Sequence, residues 1–378
     1  MRKEANSVIY ADNAATTALD SDAFEEMKPY LLQEYGNASQ PYSFARPAKK
    51  ALAIARKIIA DCIGAQPEEI FFTSGGTESD NWAIKGTLQY GDDRAILTSQ
   101  IEHHAILNAC ASVERLGYPV VYLSVDKKGV ITPATLNKHI TGNTKLVSIM
   151  LANNEIGTIE PIKELAEIAH KHGTLFHTDA VQAVGHIPVN VRFLGIDMLS
   201  ASAHKFNGPK GIGFLYIRKG TDIHSFIDGG AQEFGMRAGT ENVAAIVAMA
   251  EALRKNCAYM DETESKLRKM ENNFIQALIG AGIDFIPNGA DNHLPGIINI
   301  SIKNASGEML LHRLDLKGIC ISTGAACDSV NTQVSHVIRA ISVPEDYANG
   351  TIRISFGRDN RERDAQDIVD AIVSILKK

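Results

Sequence analysis

The chain has 378 residues, of which 45% are hydrophobic and 22% charged, a composition typical of a water-soluble globular protein with two domains. The net charge of −6 is modest, and Lys and Arg are scattered, so neither a nucleic acid nor a membrane partner is expected. No run approaches the roughly 18 apolar residues of a membrane span, and the start lacks a signal peptide's apolar stretch, which predicts a cytoplasmic protein. The five cysteines form no C-x-x-C pair, so neither disulfides nor a metal site is expected.

Short apolar runs alternate with amphipathic segments through the first two thirds of the chain. Helices are predicted over 78–90, 103–116 and 161–172, and the runs that predict strands read "EIFFTS", "RAILTS", "PVVYLSV", "KLVSIMLAN", "TLFHTDA", "DMLSAS" and "GIGFLYIRK". Apolar strands joined by helices predict an α/β fold with a mostly parallel seven-stranded sheet, covered on both faces. The last two strands, 197–202 and 211–217, are close enough in sequence to be antiparallel.

The remainder of the chain predicts a second, smaller α/β unit. One long helix is expected to continue to about residue 279, followed by the strands "GIINISI", "GICIST" and "GTIRISFG" and a helix over 362–377. The boundary is expected near residue 258. Residues 14–258 would then form the large domain, and residues 1–13 and 259–378 the small one.

The stretch "TSGGTESDN" (73–81) takes a predicted strand through two glycines into a helix. Backbone N–H groups at the start of a helix lack partners and favour an anion, so this junction suits a phosphate group. A tight turn in which Thr77 only caps the helix is the alternative. Neither G-x-G-x-x-G nor G-x-x-x-x-G-K-[ST] occurs in the chain, which argues against dinucleotide or nucleoside triphosphate binding.

Two further stretches place reactive side chains after predicted strands. In "HTDAVQAVG" (177–185), Asp179 and Gln182 follow a strand at the sheet edge where ligands bind, although Asp179 could simply cap the next helix. In "SASAHKFNGPKGIG" (200–213), Lys205 lies between an apolar strand and a glycine-rich run. A partly desolvated lysine can form a Schiff base with an aldehyde, whereas most lysines are merely solvated.

These stretches, together with "NNEIGTIEPI", "GMRAGTEN" and "STGAACDSV", resemble in order and spacing the cysteine desulfurases of the NifS/IscS type. The resemblance runs from "YADNAATT" (10–17) to "IRISFG" (352–357), nearly the whole chain. It implies the type I fold of enzymes that use pyridoxal 5′-phosphate, related to class V aminotransferases. It also implies conversion of L-cysteine to L-alanine, with the sulfur left as a persulfide on the enzyme.

The resemblance assigns roles around the cofactor ring. Lys205 would hold the cofactor as an imine and remove the substrate's α-proton, and Asp179 would keep the pyridine nitrogen protonated. Gln182 would hydrogen-bond the ring oxygen. His103, in "IEHHAI", would stack on the ring and move protons. Asn154 would lie near the ring oxygen and help to fix the substrate.

The remaining assignments concern the cofactor phosphate. Thr77, the backbone of Gly76, Ser202 and His204 match the family's phosphate cup. Thr240, in "RAGTEN", matches a residue that the family donates to the phosphate of the neighbouring subunit, which implies a homodimer.

Arg353 and Cys327 match the groups that act on the substrate. Arg353 would clamp the substrate carboxylate with its planar fork, although its local sequence reads as an exposed strand residue in an ion pair. Cys327 would be the nucleophile, surrounded by small residues that let its loop carry sulfur to an acceptor such as an iron–sulfur scaffold protein. Nearby Cys320 is expected in the core.

Two departures from the family pattern leave questions open. Ala38 stands where proline is common, and the chain is expected to lack the C-terminal extension that helps the IscS branch to bind the scaffold. The alternatives to a desulfurase are a selenocysteine lyase or another pyridoxal-phosphate enzyme of the same fold, such as an aminotransferase. A non-catalytic module that binds a phosphorylated ligand in the same cup is a further alternative.

Overall fold

The computed structural model describes residues 8–89, 91, 93–323 and 334–377. In this part of the chain the α-helices are α1 (Ser21–Leu32), α2 (Arg46–Ile63), α3 (Gly76–Gly86), α4 (His104–Glu114), α5 (Pro133–His139), α6 (Ile162–Lys171), α7 (Val191–Leu194), α8 (Val243–Ala258), α9 (Met260–Gly280), α10 (Gly307–Asp315), α11 (His336–Ala340), α12 (Glu345–Ala348) and α13 (Glu362–Leu376). The strands are β1 (Ile9–Tyr10), β2 (Ile70–Thr73), β3 (Ala95–Ser99), β4 (Val120–Leu123), β5 (Thr144–Ser148), β6 (Leu175–Asp179), β7 (Met198–Ser202), β8 (Gly213–Ile217), β9 (Phe285–Pro287), β10 (Ile297–Ile302), β11 (Ile319–Cys320) and β12 (Thr351–Ser355). None of these helices is long and apolar enough to cross a membrane.

A seven-stranded sheet organises the first part of the chain, in the order β2-β8-β7-β6-β5-β3-β4. The strands from β7 to β4 pair in parallel, and β8 runs antiparallel to both β7 and β2. Strands β5 to β8 are buried along almost their whole length, because helices cover both faces of the sheet. The predicted mostly parallel seven-stranded sheet and its antiparallel last pair are confirmed.

Two smaller sheets lie outside the seven-stranded sheet. Strands β12, β10 and β9 form an antiparallel sheet in that order, and β1 from the N-terminus pairs in parallel with β11. Their apolar faces pack with α9 and α13 into a separate core that includes Phe274, Ile300 and Ile352. The N-terminal strand therefore packs with the C-terminal part of the chain.

The single long helix expected to end near residue 279 is wrong. The helix is interrupted at Tyr259, whose backbone (φ −109°, ψ 18°) lies outside helical geometry. This break separates α8 from α9. The physical reason is a change of packing partner: Leu253 of α8 is buried in the core of the large sheet, whereas Leu267 of α9 is buried in the second core. The division into domains at residue 258 remains a prediction, one residue before this break.

Asp20 joins three distant segments of the chain. Its carboxylate caps the start of α1 through the N–H groups of Asp22 and Ala23, contacts Lys255 of α8 at 3.0 Å, and pairs with Arg358, which follows β12. Burial opposes its ionisation, but the hydrogen bonds from Lys255, Ala23 and Arg358 outweigh burial and lower the pKa to about 2. A buried carboxylate therefore connects α1 and α8 to the segment after β12.

Replacing Asp20 by Asn tests this connection, because Asn caps a helix as well as Asp does and only the charge is lost. We expect the free energy of unfolding at pH 7 to fall by about 2 kcal/mol. The folded pKa lies below the unfolded value, so the difference from wild type should be full above about pH 5 and disappear as the pH falls from 4 to 2. Urea unfolding at several pH values measures this difference.

The control is Asp22→Asn, because Asp22 contacts the same Lys255 but is exposed. A loss of less than about 0.5 kcal/mol in the free energy of unfolding is expected. Equal losses in the two variants would contradict the assignment.

Candidate active site

A cavity of about 460 Å³ opens at the carboxyl ends of the parallel strands, where ligands bind in open α/β sheets. It brings together most of the residues predicted from the sequence. These are Gly76, Thr77, His103, Asn154, Asp179, Gln182, Ser202, His204, Lys205 and Arg353. Thr240 does not line it, and Cys327 lies outside the described residues.

Lys205 follows β7 and is held at the cavity by backbone oxygens. Its Nζ donates to the carbonyl of Ala14 at 2.6 Å and to that of Ala15 at 2.9 Å. The Gln182 amide also donates to Ala14, at 2.9 Å. In this structure the amine and the amide therefore converge on one turn of the N-terminal segment, which fixes the amine within the cavity.

Asp179 ends β6 with its side chain only 5% exposed. Its Oδ1 accepts a hydrogen bond from the Val181 N–H at 2.9 Å, which closes a turn. No α-helix begins at this point in the described chain, so the helix-capping alternative does not apply. Burial raises the pKa of Asp179 to about 6, although the Val181 N–H and the charge of Lys205 oppose that rise. Asp179 therefore changes charge near pH 6 and is mostly a carboxylate at neutral pH.

His103 immediately precedes α4 and caps it. Its Nδ1 accepts a hydrogen bond from the Ala105 N–H at 3.1 Å, so the proton of the neutral ring resides on Nε2. Burial, and then the charge of Lys205, lower its pKa to about 4. His103 is therefore a neutral imidazole at pH 7, with a flat ring face suited to stacking.

The start of α3 forms one end of the cavity. Gly75 has φ 147°, which favours glycine, and a Cβ on Gly76 would lie 2.6 Å from Cγ2 of Val181. The two glycines thus let the helix start approach the turn after β6, with its first N–H groups available for an anion. The negative charge of Glu78, in the same turn, is balanced by Arg237, which contacts both of its carboxylate oxygens at 2.8 and 3.1 Å.

Two more predicted residues of the phosphate cup, Ser202 and His204, lie beside this helix start. Ser202 is buried, and its Oγ is 3.5 Å from where a Cβ on Gly75 would stand. The Nδ1 of His204 is 3.1 Å from the Thr16 hydroxyl, and burial lowers the pKa of His204 to about 4. Lys210 also lines the cavity and supplies a cation near His204. A dianionic phosphate would meet N–H groups, hydroxyls and a lysine here.

Arg353 is 1% exposed, which rules out the exposed-strand alternative. Its Nη2 pairs with Asp12 at 2.7 Å, and its Nη1 donates to the backbone carbonyl of Asn154 at 2.8 Å. Its Nε has no hydrogen-bond partner among the described residues, although buried guanidinium groups normally find one. A cavity-lining Arg with an unused donor fits the carboxylate of a ligand.

Sequence reasoning missed Asp12, Asp80 and the carbonyl groups of Ala14 and Ala15. Asp12 and the two alanines lie in "YADNAATT" and Asp80 in "TSGGTESDN", both of which were recognised as motifs, but no role was derived for these residues. For Asp80 a signal existed: it lies one turn before the buried Ile84 on a face that also includes Gly76 and Ala83. For Asp12 no local signal existed, because its partner is 341 residues away.

Cys327 lies outside the described residues, but the residues that flank its segment contact Arg353, which lines the cavity, and Glu102, which precedes the cavity-lining His103. On one side, Ser322 and Arg353 exchange backbone hydrogen bonds of 3.0 and 2.7 Å. On the other, Nε2 of His336 donates to the carbonyl of Glu102 at 3.1 Å, and its ring packs on His104. Cys320, expected in the core, is instead partly exposed, because successive side chains of a strand point to opposite faces and it is Ile319 that faces the core.

Comparison with known proteins identifies the family. The family Aminotransferase class-V matches residues 9–368. A cysteine desulfurase IscS of Dictyoglomus turgidum is 48% identical over 98% of this chain and 95% of its own length. One of Methanosarcina thermophila is 45% identical over 99% of this chain and 93% of its own. The chain therefore belongs to the class V aminotransferase family.

Solved structures agree with this placement. A NifS-like protein superposes with a TM-score of 0.92 at 37% identity, over 98% of this chain and 99% of that chain. A structure of SspA in complex with cysteine superposes with a TM-score of 0.83 at 35% identity, over 92% of this chain and 99% of that chain. The type I fold expected from the sequence is confirmed.

Pyridoxal 5′-phosphate is the cofactor of this family, and the cavity residues fit it. The group needs an amine for its aldehyde, a carboxylate for its ring nitrogen and donors for its phosphate. Lys205, Asp179 and the N–H groups at the start of α3 provide these in one cavity. Among the described residues no cluster of three or more His, Cys, Asp or Glu is placed to hold a metal ion.

The raised pKa of Asp179 predicts how cofactor affinity depends on pH. A protonated ring nitrogen pairs with the ionised carboxylate, so Asp179 should strengthen binding as the pH rises through about 6. At pH 8 we expect Asp179→Asn to raise the Kd for pyridoxal phosphate by 10- to 100-fold, the range of a lost charged hydrogen bond. The ratio of the two Kd values should shrink severalfold by pH 5. Fluorescence titration of the apo-proteins measures both Kd values. The cofactor's own phosphate titrates in both experiments, so its contribution cancels in the ratio of wild type to variant. A ratio that stays constant from pH 5 to pH 8 would contradict this assignment.

Proposed function

We infer that this protein is a cysteine desulfurase that converts L-cysteine to L-alanine and transfers the sulfur to Cys327. The observation that carries the inference is that Lys205, Asp179, His103 and Arg353 line one cavity. Relatives that are 45 to 48% identical over nearly the whole chain are named cysteine desulfurases. A structural neighbour was solved with cysteine.

Arg353 selects an amino acid as the substrate. Two of its nitrogens are already fixed by Asp12 and by the Asn154 carbonyl, so the guanidinium cannot rotate freely, and its Nε remains available. A substrate carboxylate placed there is oriented before the reaction begins, which lowers the entropic cost of the chemical step. An apolar ligand in this position would leave the buried Nε donor of Arg353 without a hydrogen-bond partner, which disfavours such ligands.

Lys205 contributes an amine to the reaction, and His103 contributes a neutral imidazole. The bound cofactor supplies an electron sink that stabilises the negative charge left on the substrate when its α-proton is removed. Lys205 can take this proton, and two carbonyl oxygens hold its Nζ in place. His103 remains a neutral imidazole, so its Nε2–H can donate a hydrogen bond and its ring face can stack on the cofactor.

Cys327 is proposed as the nucleophile. Its thiolate forms a bond to the substrate sulfur, the carbon–sulfur bond breaks, and the electron pair goes to the substrate carbon, which takes up a proton. Alanine leaves, and a persulfide remains on Cys327. The position of Cys327 in sequence supports this role, because it lies between Ser322, which is paired with Arg353, and His336, which is bonded next to His103.

The decisive test is Cys327→Ala. Steps that need only Lys205 and the cofactor should survive, so the variant should still bind L-cysteine and shift the cofactor absorbance, while alanine release falls by at least 1,000-fold. Amino-acid analysis measures alanine, and mass spectrometry of the wild type should find one added sulfur on the peptide that carries Cys327.

Two control variants sharpen this experiment. Cys320→Ala should release alanine at the wild-type rate, and Lys205→Ala should lose both the absorbance change and covalent attachment of the cofactor after borohydride treatment. Selenocysteine serves as a second substrate for Cys327→Ala, because its weaker carbon–selenium bond can break without the thiol. Alanine release from cysteine at the wild-type rate in Cys327→Ala would eliminate the desulfurase mechanism.

A homodimer and a protein sulfur acceptor complete the proposal. Thr240 is exposed and does not line the cavity of its own chain, which supports its contribution to a neighbour. Just before it, Glu233 and Phe234 have φ of 46° and 60°, and Phe234 is 64% exposed. Such backbone strain persists only where the surrounding structure imposes it. Here Arg56 anchors Glu233 at 2.6 Å, while the Phe234 ring faces outward.

Sedimentation of the cofactor-loaded protein tests the dimer. We expect twice the mass of the 41.0 kDa chain, and we expect Thr240→Ala to weaken cofactor binding by about three- to tenfold, the effect of losing one hydrogen bond. A stable and fully active monomer would exclude a contribution of Thr240 to the neighbouring site. The identity of the acceptor, such as an iron–sulfur scaffold, and the cytoplasmic location remain predictions.

A further inference from the structure

Asp80 is a buried acid in the wall of the cofactor cavity that has no part in the reaction described above. It lies on α3, is 1% exposed and lines the same cavity as Asp179. Its Oδ1 has no hydrogen-bond partner among the described residues, which is uncommon for a buried carboxyl oxygen. Its surroundings decide whether it carries a charge.

The nearest basic side chain cannot balance a charge on Asp80. Nε2 of His177 lies 3.8 Å from Oδ1, which is too far for a hydrogen bond. The two nitrogens of this ring are instead 2.9 Å from the Ser148 hydroxyl and 3.0 Å from the Ser200 hydroxyl. Complete burial lowers the pKa of His177 to about 3, so the ring is neutral at working pH. His177 therefore provides no positive charge.

The other groups facing Asp80 are mostly acids. Asp179 on β6 and Glu102, between β3 and α4, both act on it electrostatically, and the Ser200 hydroxyl on β7 hydrogen-bonds to it. Glu102 has its own donors, the Ser99 hydroxyl at 2.6 Å and the Met150 N–H at 3.0 Å, and burial raises its pKa to about 8. Buried carboxyls placed together cannot all ionise.

Asp179 is the acid that ionises most readily in this group. It has the Val181 N–H as a donor and the positive charge of Lys205 nearby, whereas the one donor identified for Asp80 is the hydroxyl of Ser200. Burial accordingly raises the pKa of Asp80 well above its usual value. Of the two acids, Asp80 is therefore the one that retains its proton.

We propose that Asp80 is a positioning residue that remains a neutral carboxylic acid, so that Asp179 is the single anion facing the cofactor ring. A neutral acid next to Asp179 supplies a dipole that stabilises the carboxylate, without adding a second negative charge that would oppose its ionisation. An apolar residue at position 80 would remove that dipole. This role rests on the cofactor site proposed above.

A cofactor-free measurement tests the protonation state. Apo-protein labelled with ¹³C at the aspartate carboxyl carbons should show one aspartate that stays protonated from pH 6 to pH 8. Asp80→Asn should remove this resonance, and Asp179→Asn should keep it. The matched control is Asp197→Asn, because Asp197 is also buried but faces His170 at 2.8 Å and Arg218 at 3.4 Å. Absence of the resonance in wild type, or its persistence in Asp80→Asn, would overturn the proposal without touching the desulfurase assignment.

The pH dependence of cofactor affinity tests the positioning role. The Asp179 midpoint near pH 6 should stay within about 0.3 units in Asp80→Asn, and it should rise by about one unit in Asp80→Leu. Asp80→Leu should also weaken cofactor binding at pH 7 by about tenfold or more, and Asp80→Asn should recover most of that loss. An ionised Asp80 would give the opposite sign, because both substitutions would then lower the midpoint. If Asp80→Leu does not fold, Asp80→Asn alone still decides, because its midpoint should be unchanged if Asp80 is neutral and lowered if Asp80 is ionised.

Discussion

The proposed cofactor site depends on keeping one negative charge, that of Asp179, at the buried end of a parallel strand. Burial alone would leave this carboxyl protonated, and a protonated Asp179 could not hold the cofactor's ring nitrogen in its charged form. The Val181 N–H and the nearby charge of Lys205 restore enough stabilisation to bring the pKa down to about 6. Whatever else lies around this residue must not cancel that balance.

The neighbouring side chains satisfy this requirement by remaining uncharged. His103 and His177 are buried imidazoles whose pKa values lie near 4 and 3, so neither competes with the ring nitrogen for the carboxylate at neutral pH. Glu102 keeps its proton up to about pH 8. The imidazoles and acids buried around Asp179 therefore add little charge of their own, and this gives Asp179 its effect in a medium of low dielectric constant.

Local patterns were sufficient to predict the strands of the large sheet and the motifs. The strands are apolar runs between turns, the glycines of "TSGGTESDN" indicate a close approach, and Lys205 stands out in its glycine-rich surroundings. Arg353 shows where such reasoning stops, because its local sequence reads as exposed. It is buried only because β12 pairs with β10 and because Asp12 approaches from the other end of the chain.

The break at Tyr259 escaped prediction for a related reason. Both α8 and α9 have sequences that favour a helix, and what separates them is the change from one hydrophobic core to the other. That change depends on tertiary packing, which no single segment encodes. The roles of Thr240 and Cys327 rest on family resemblance, because one is exposed in the isolated chain and the other lies outside the described residues.

The N-terminal segment contacts both Lys205 and Arg353. The carbonyls of Ala14 and Ala15 hold Lys205, and two residues earlier Asp12 holds Arg353. The proposed proton acceptor and the proposed carboxylate-binding group are therefore fixed to the same short stretch of backbone. A shift of this stretch by one ångström would displace both together, and misplacement on that scale is costly in catalysis. The pairing of β1 with β11 anchors this stretch, so under the proposed mechanism it would help to position both groups from outside the cavity.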